Sequence, residues 1–426
     1  MLVVAILVLL VALLLLGMPL VFAMGSTAVV YLYIADIHFS MLAQRMTSAV
    51  DSFLILAIPF FYLAGELMNA CKLTDRIVAM AKALVGHIHG GLAQVNIVAS
   101  MIFAGMSGSA TADTAALGSV LIPAMKKEGY PADFSAAVTV ASAMIGPIIP
   151  PSVAMVIFGA VADVSIGRLL LAGILPGVLI GITQMIFTYV LAKRRGYPRY
   201  PRATLKEAAC ATYKGGAAVL FPVIIVGGIV SGVFTPTEAA AAAVLYGVIL
   251  GLVVYRNVSL GDLWRTLLKV TWGSVRILLI IAVASAFSWI LVREQVPQLI
   301  AEFLATFTDE GLTVLAIMIA FLFLVGLFMI ASSAEIVLAP ILVPVVVEFG
   351  IDPVHFGVLM VFTLIIGGGT PPVGVLLYVA QDIAGIPFSK MVRAMLPYYV
   401  PLFTAVVLIA LFPQLSLWIP NMVFGG

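Results

Sequence analysis

Apolar residues in this chain come in blocks long enough to cross a bilayer, not in the 3.6-residue stripe of a surface helix. The blocks fall at about 2–35, 51–72, 91–123, 133–162, 168–192, 215–233, 237–255, 272–292, 311–346, 354–380 and 394–412. A spanning helix needs roughly 20 apolar residues, so the chain accommodates about ten to twelve spans, one or two of them in the first block. Leu2 to Leu16 reads as a first span and not as a signal peptide, because no basic residue precedes it and another hydrophobic stretch follows. Two blocks are too long for one span. Gly105-Met-Ser-Gly-Ser109 interrupts 91–123, and Ile330-Ala-Ser-Ser333 interrupts 311–346. Each reads as a hairpin that enters, turns at mid-depth and leaves on the same side, or else as two short ordinary spans.

Composition agrees with the pattern. Of 426 residues, 63% are hydrophobic and 9% charged, whereas a soluble domain carries about a quarter charged. The main solvent is therefore lipid. A net charge of +2 gives no footing for nucleic acid. Cys71 and Cys210 are far apart in sequence and the four histidines are not paired at metal spacing, which argues against a disulfide framework or a zinc site. Neither a phosphate-binding Gly-x-x-x-x-Gly-Lys-Ser/Thr stretch nor a His-Glu-x-x-His pair occurs, which disfavours an ATP-driven pump and a metalloprotease.

The charges set an orientation. Lys193, Arg194, Arg195, Arg199 and Arg202 share one polar loop, which the positive-inside rule puts in the cytoplasm. Counting spans from there leaves Lys126, Lys127, Arg256, Arg265, Lys269, Lys390 and Arg393 inside, and Glu294, Asp309, Glu310, Glu348 and Asp352 outside. Hairpins and double spans give the same loop assignments. Val258 to Lys269 reads as an amphipathic helix at the inner interface or a short connector.

The halves repeat at an offset near 222. Thr111-Ala-Asp113 faces Ser333-Ala-Glu335. Gly129, Pro131 and Phe134 match Gly350, Pro353 and Phe356. Gly146-Pro-Ile-Ile-Pro-Pro151 faces Gly367-Gly-Gly-Thr-Pro-Pro372, and Pro176 faces Pro397. The first copy starts inside and the second outside, the inverted repeat of many secondary transporters. The predicted fold is an all-α polytopic membrane protein of inverted repeats, with two re-entrant hairpins and two broken helices. At each break, Pro and Gly free backbone groups that must find partners; freed carbonyls suit a monovalent cation and helix N-termini suit an anion. Asp113 and Glu335 lie inside apolar segments, where a charge is costly unless paired. Each either assists ion or substrate binding or caps a half-helix. Asp163 and Asp382 read as interfacial, Glu66 stands unusually inside a span, and Glu238 in Thr235-Pro-Thr-Glu238 reads as a helix-start cap.

With these stretches assembled, the chain resembles the large membrane subunit of tripartite ATP-independent periplasmic (TRAP) transporters. The matching segments are Ala57-Ile-Pro-Phe-Phe-Tyr-Leu-Ala-Gly-Glu66, Ser107-Gly-Ser-Ala-Thr-Ala-Asp-Thr-Ala-Ala116, Ile145-Gly-Pro-Ile-Ile-Pro-Pro-Ser152, Phe234-Thr-Pro-Thr-Glu-Ala239 and Thr370-Pro-Pro-Val-Gly374. Ile330 departs from the pattern, standing where relatives often carry an acid. The resemblance implies an elevator-type, sodium-driven carrier in a bacterial or archaeal inner membrane. It also implies a small four-helix membrane partner, expected as a separate chain, and a periplasmic binding protein that delivers an organic anion. It implies sodium at Ser107, Ser109, Gly146 and Pro150, and at Ser332, Ser333, Gly368 and Thr370. Substrate would then sit between the tips, near Thr111, Asp113, Ser333 and Glu335. On this reading residues 91–165 and 311–385 form the transport domain. Residues 1–90 and 166–310 form the scaffold, and 386–426 a C-terminal span. A passive anion channel or exchanger is the alternative function.

Overall fold

The computed structural model of the chain describes residues 2–71 and 73–425. Those residues are helical wherever they are regular, with no strand among them. This follows from the solvent: in lipid, a helix satisfies its own backbone, whereas an open sheet edge does not.

The first block is two helices, Leu2–Leu15 and Leu20–Ile34, turning at Gly17 with φ of +82°. A set of long helices forms one body: Ala57–Ala70, Leu205–Val230, Pro236–Ile249 and Leu260–Arg293. Ala57–Ala70 packs on Pro236–Ile249 and on Leu260–Arg293, and the last also receives Leu20–Ile34 and Ser40–Val50. Three of the long helices open with reciprocal capping boxes, Thr204 with Glu207, Thr235 with Glu238, and Ser259 with Asp262. Each box satisfies first-turn amides that the helix itself leaves open. The cap expected at Glu238 is therefore present. The Ser259 box also settles the choice at Val258 to Lys269 between helix and connector: the stretch is helical from Leu260. It forms the opening turns of one 34-residue helix, about 51 Å long, because no proline interrupts the run from Leu260 to Arg293.

The repeat is borne out in detail. Hairpin 1 is Gly91–Ser107 and Ala110–Lys127; hairpin 2 is Gly311–Phe328 and Ala331–Glu348. A left-handed glycine, Gly129 or Gly350, then turns the chain into a broken helix. Broken helix 1 is Ala132–Ala143 and Val153–Ala162; broken helix 2 is Pro353–Gly368 and Val375–Ala384. Both Pro-Pro bonds, Pro150-Pro151 and Pro371-Pro372, are cis. Each copy ends in a short helix, Ile166–Ala172 or Phe388–Met395, and a long one, Ile174–Arg195 or Tyr399–Leu411.

The copies interlock. Val153–Ala162 of the first packs on hairpin 2, and Val375–Ala384 of the second packs on hairpin 1. Within each copy small and hydroxyl residues permit close approach, as is common between membrane helices. Asn96 Nδ2 donates to Thr139 Oγ1 at 2.7 Å, and Ser100 Oγ to Ser142 Oγ at 2.8 Å, tying hairpin 1 to broken helix 1. In the second copy Gly326 and Gly367 cross backbone to backbone: a Cβ on Gly367 would lie 2.6 Å from the Gly326 Cα. Beside them the Val373 amide donates to the Leu327 carbonyl at 3.3 Å. In both copies the hairpin tip thus docks at the break of the same copy, Gly108 against Pro151 and Leu327 against Val373.

Candidate functional site

The two breaks adjoin. Gly369 at the second lies against Met144 at the first, where a Cβ would fall 1.9 Å from the Met144 Cε. The carbonyls that the breaks free are largely answered locally. Ser152 Oγ donates to the Pro147 carbonyl, Tyr399 Oη to the Gly369 carbonyl at 2.9 Å, and Thr370 Oγ1 to the Ile366 carbonyl at 2.7 Å.

The helix N-termini face the other way. A cavity of about 660 Å³ lies between the hairpin tips, the breaks and the long helices. Ala110, Val153, Ala331 and Val375 all line it, and each is the first residue of a helix. Two of those starts are capped by serine: Ser109 Oγ accepts from the Ala112 amide and Ser152 Oγ from the Met155 amide. Four helix starts thus converge on one space, each carrying about half a positive charge in its unpaired amides. Such a space favours an anion. Ser107, Ser109, Thr111 and Ser332 border it.

Asp113 does not. It is fully buried, because two helical positions separate it from Thr111, a rotation of about 200°. Its Oδ1 accepts from Ser107 Oγ, and its Oδ2 lies where a Cβ on Gly146 would reach it at 2.5 Å. That second oxygen has no hydrogen-bond partner among the described residues. Ser107, Gly146 and the Asp113 carboxylate therefore pack together, and a carboxylate oxygen without a partner there suits a hard monovalent cation. The Pro150 carbonyl faces Gly105 of hairpin 1 nearby, and Ser109 sits at the rim. Gly108 makes the docking possible. It takes φ of +57°, and a Cβ there would meet the Pro151 carbonyl oxygen at 2.6 Å.

The second copy is looser. Ser332 and Gly368 share the cavity wall, and Gly368 has nothing within 4 Å of a Cβ position. Ser333 and Thr370 do not border the cavity. Glu335 is buried one turn deeper than Ser332, beside the Phe158 backbone of the other copy. As substrate contacts, then, Thr111 lines the shared space, whereas Asp113, Ser333 and Glu335 stand behind it. Neither acid is a helix cap, since Ser109 and Ile330 hold those positions.

The long helices supply the remaining wall, with Tyr62, Gly65, Glu66, Asn69, Lys269 and Ile277. Lys269 Nζ meets Glu66 Oε2 at 2.7 Å. The sequence signalled this pair only through Glu66, an acid inside an apolar span that needs a partner.

Paired broken helices, facing hairpins and a cavity met by four helix N-termini define a secondary transporter built on an inverted repeat. The same architecture occurs in the YdaH transporter of Alcanivorax borkumensis, whose crystal structure superposes with a TM-score of 0.62 over 90% of this chain and 89% of that one, at 15% identity. Residues 7–415 match the family model of the tripartite ATP-independent periplasmic transporter, DctM component, and the chain belongs to that family. It is thus a multi-pass membrane component of a three-part transporter. The sialic acid TRAP transporter large permease protein SiaM of Vibrio cholerae is 43% identical, over 96% of each chain. The C4-dicarboxylate TRAP transporter large permease protein DctM of Pseudomonas aeruginosa is 39% identical, over 89% of each.

Proposed function

We propose that this chain is the sodium-coupled permease subunit that carries a small organic anion, a carboxylate or sulfonate, inward across a bacterial inner membrane. The observation that carries the reading is the convergence of four helix N-termini on one cavity. Its relatives transport anions as different as sialic acid and C4-dicarboxylates, which fits a site built mainly from backbone amides and hydroxyls. A periplasmic binding protein delivers the substrate and a small four-helix membrane subunit accompanies the chain, as the three-part family name leads one to expect.

Support for sodium as the coupled ion comes from the Ser107–Asp113–Gly146 cluster and its unpartnered carboxylate oxygen. A cation there neutralises the buried carboxylate and fastens the hairpin tip to the break. The tip also carries Ala110 and Thr111 to the anion cavity, so ion and substrate each raise the other's affinity by the same factor. The hairpins and broken helices then move as one body against the long helices, in the manner of an elevator. Reconstituted with its partners, the protein should accumulate its substrate uphill when sodium is high outside. Uptake that is indifferent to the sodium gradient, or that only equilibrates, would reject coupling.

A further inference from the structure

Among the residues lining the anion cavity, the full charges belong to Glu66 and Lys269. Both sit on the long-helix body: Glu66 on Ala57–Ala70 and Lys269 on Leu260–Arg293, two helices that pack together. Their register is fixed one turn further along, where the Tyr62 ring lies against Gly273 with no room for a Cβ. The Lys269 side chain is 62% exposed, and Glu66 is its one hydrogen-bond partner among the described residues. An ammonium has three donors and a carboxylate several acceptor positions, so both groups keep capacity to spare toward the cavity. Tyr62 and the Asn69 side chain, whose buried Oδ1 has no partner among the described residues, stand beside them.

We propose that Glu66 and Lys269 form the scaffold's half of the substrate site and select a hydroxylated mono-anion, a sugar acid in chemical class. The inference rests on the organic-anion reading above. The four helix N-termini on the hairpin side take the acid group, and the Glu66–Lys269 couple takes the far end. The couple is net neutral, so it offers a donor and an acceptor side by side but no unmatched positive charge. A hydroxyl accepts from Lys269 and donates to Glu66 at once. A second carboxylate placed on Lys269 would instead stand within a few ångströms of the Glu66 carboxylate, and like charges that close repel. A plain alkyl chain would strip water from both charges and give nothing in return.

The test is direct binding to the purified permease with its small membrane partner, by calorimetry in sodium, using gluconate, succinate and hexanoate. Gluconate should bind more tightly than either other acid by about ten-fold, the worth of one charge-assisted hydrogen bond. The double variant Glu66→Leu/Lys269→Met removes both charges together, so no unpaired charge is left to unfold the protein. It should lose the gluconate preference while binding hexanoate at least as well, and Lys269→Arg should retain the preference. Sodium-dependent binding led by succinate or hexanoate overturns this inference and leaves the organic-anion reading standing. So does a double variant that weakens all three acids equally. Sodium-dependent binding of none of the three rejects both.

Discussion

At the scale of single residues, Asp113 has the most to say about coupling. A buried carboxylate oxygen without a hydrogen-bond partner is costly unless something positive answers it, and among the described residues Asp113 has no ion-pair partner. Asp113→Asn should keep the Ser107 hydrogen bond in form while removing the charge. The sodium concentration for half-maximal transport should rise about ten-fold or more, the effect of losing one charge-assisted contact. Ser107→Ala should act in the same direction more weakly. A sodium titration unchanged in both variants would remove this cluster from the ion path. The cluster was half legible in sequence. Ser107, Gly146 and an acid one turn past the tip are visible as residue types, but the Thr111–Asp113 rotation turns the acid away from the cavity and toward Gly146. Only the helix start at Ala110 fixes that rotation.

At the scale of elements, the tips are held by backbone approach, which glycine alone allows. At Gly108 an added methyl meets both an unfavourable left-handed backbone and the Pro151 carbonyl. Gly108→Ala should therefore lower stability by about 1–3 kcal/mol and abolish transport. Gly129→Ala, with φ of +85° but nothing within 4 Å of the new carbon, should cost only the backbone component, about 1 kcal/mol. Thermal unfolding in detergent with both variants side by side checks the ranking, and equal losses would show that the tip is not tightly docked. The element list was largely readable from apolar block lengths. What the blocks concealed was continuity at Leu260–Arg293 and short amphipathic pieces such as Thr74–Val85 and Val296–Ala305, whose apolar runs are too brief to register as spans.

At the scale of the whole molecule, the proposed elevator motion requires a surface on which one body slides on the other. Ala57–Ala70 touches hairpin 1 through Gly65, where a Cβ would stand 3.2 Å from the Met106 and Ser107 carbonyl oxygens. That is a smooth contact between the long-helix body and a hairpin tip. Gly65→Val should wedge it, so that substrate uptake falls by an order of magnitude or more while sodium and substrate still bind, as read by calorimetry. Normal uptake by this variant would place the sliding surface elsewhere. The spans Ile174–Arg195 and Tyr399–Leu411 pack on each other, the first also on hairpin 1 and the second on broken helix 2.

The sequence by itself determined that the chain lives in lipid, that it is helical, and that it is built twice in opposite directions. Those properties follow from composition, block length and the placement of Gly, Pro and basic residues, all of which act locally along the chain. Tertiary structure alone decided which hydroxyls face the cavity, that Asp113 serves the break and not the open space, and that Lys269 comes to Glu66 from 203 positions away. A helix turns by about 100° per residue, so a one-residue shift in its start re-aims every side chain. Contacts between distant helices depend on that rotation in both partners, and no single stretch of sequence encodes it.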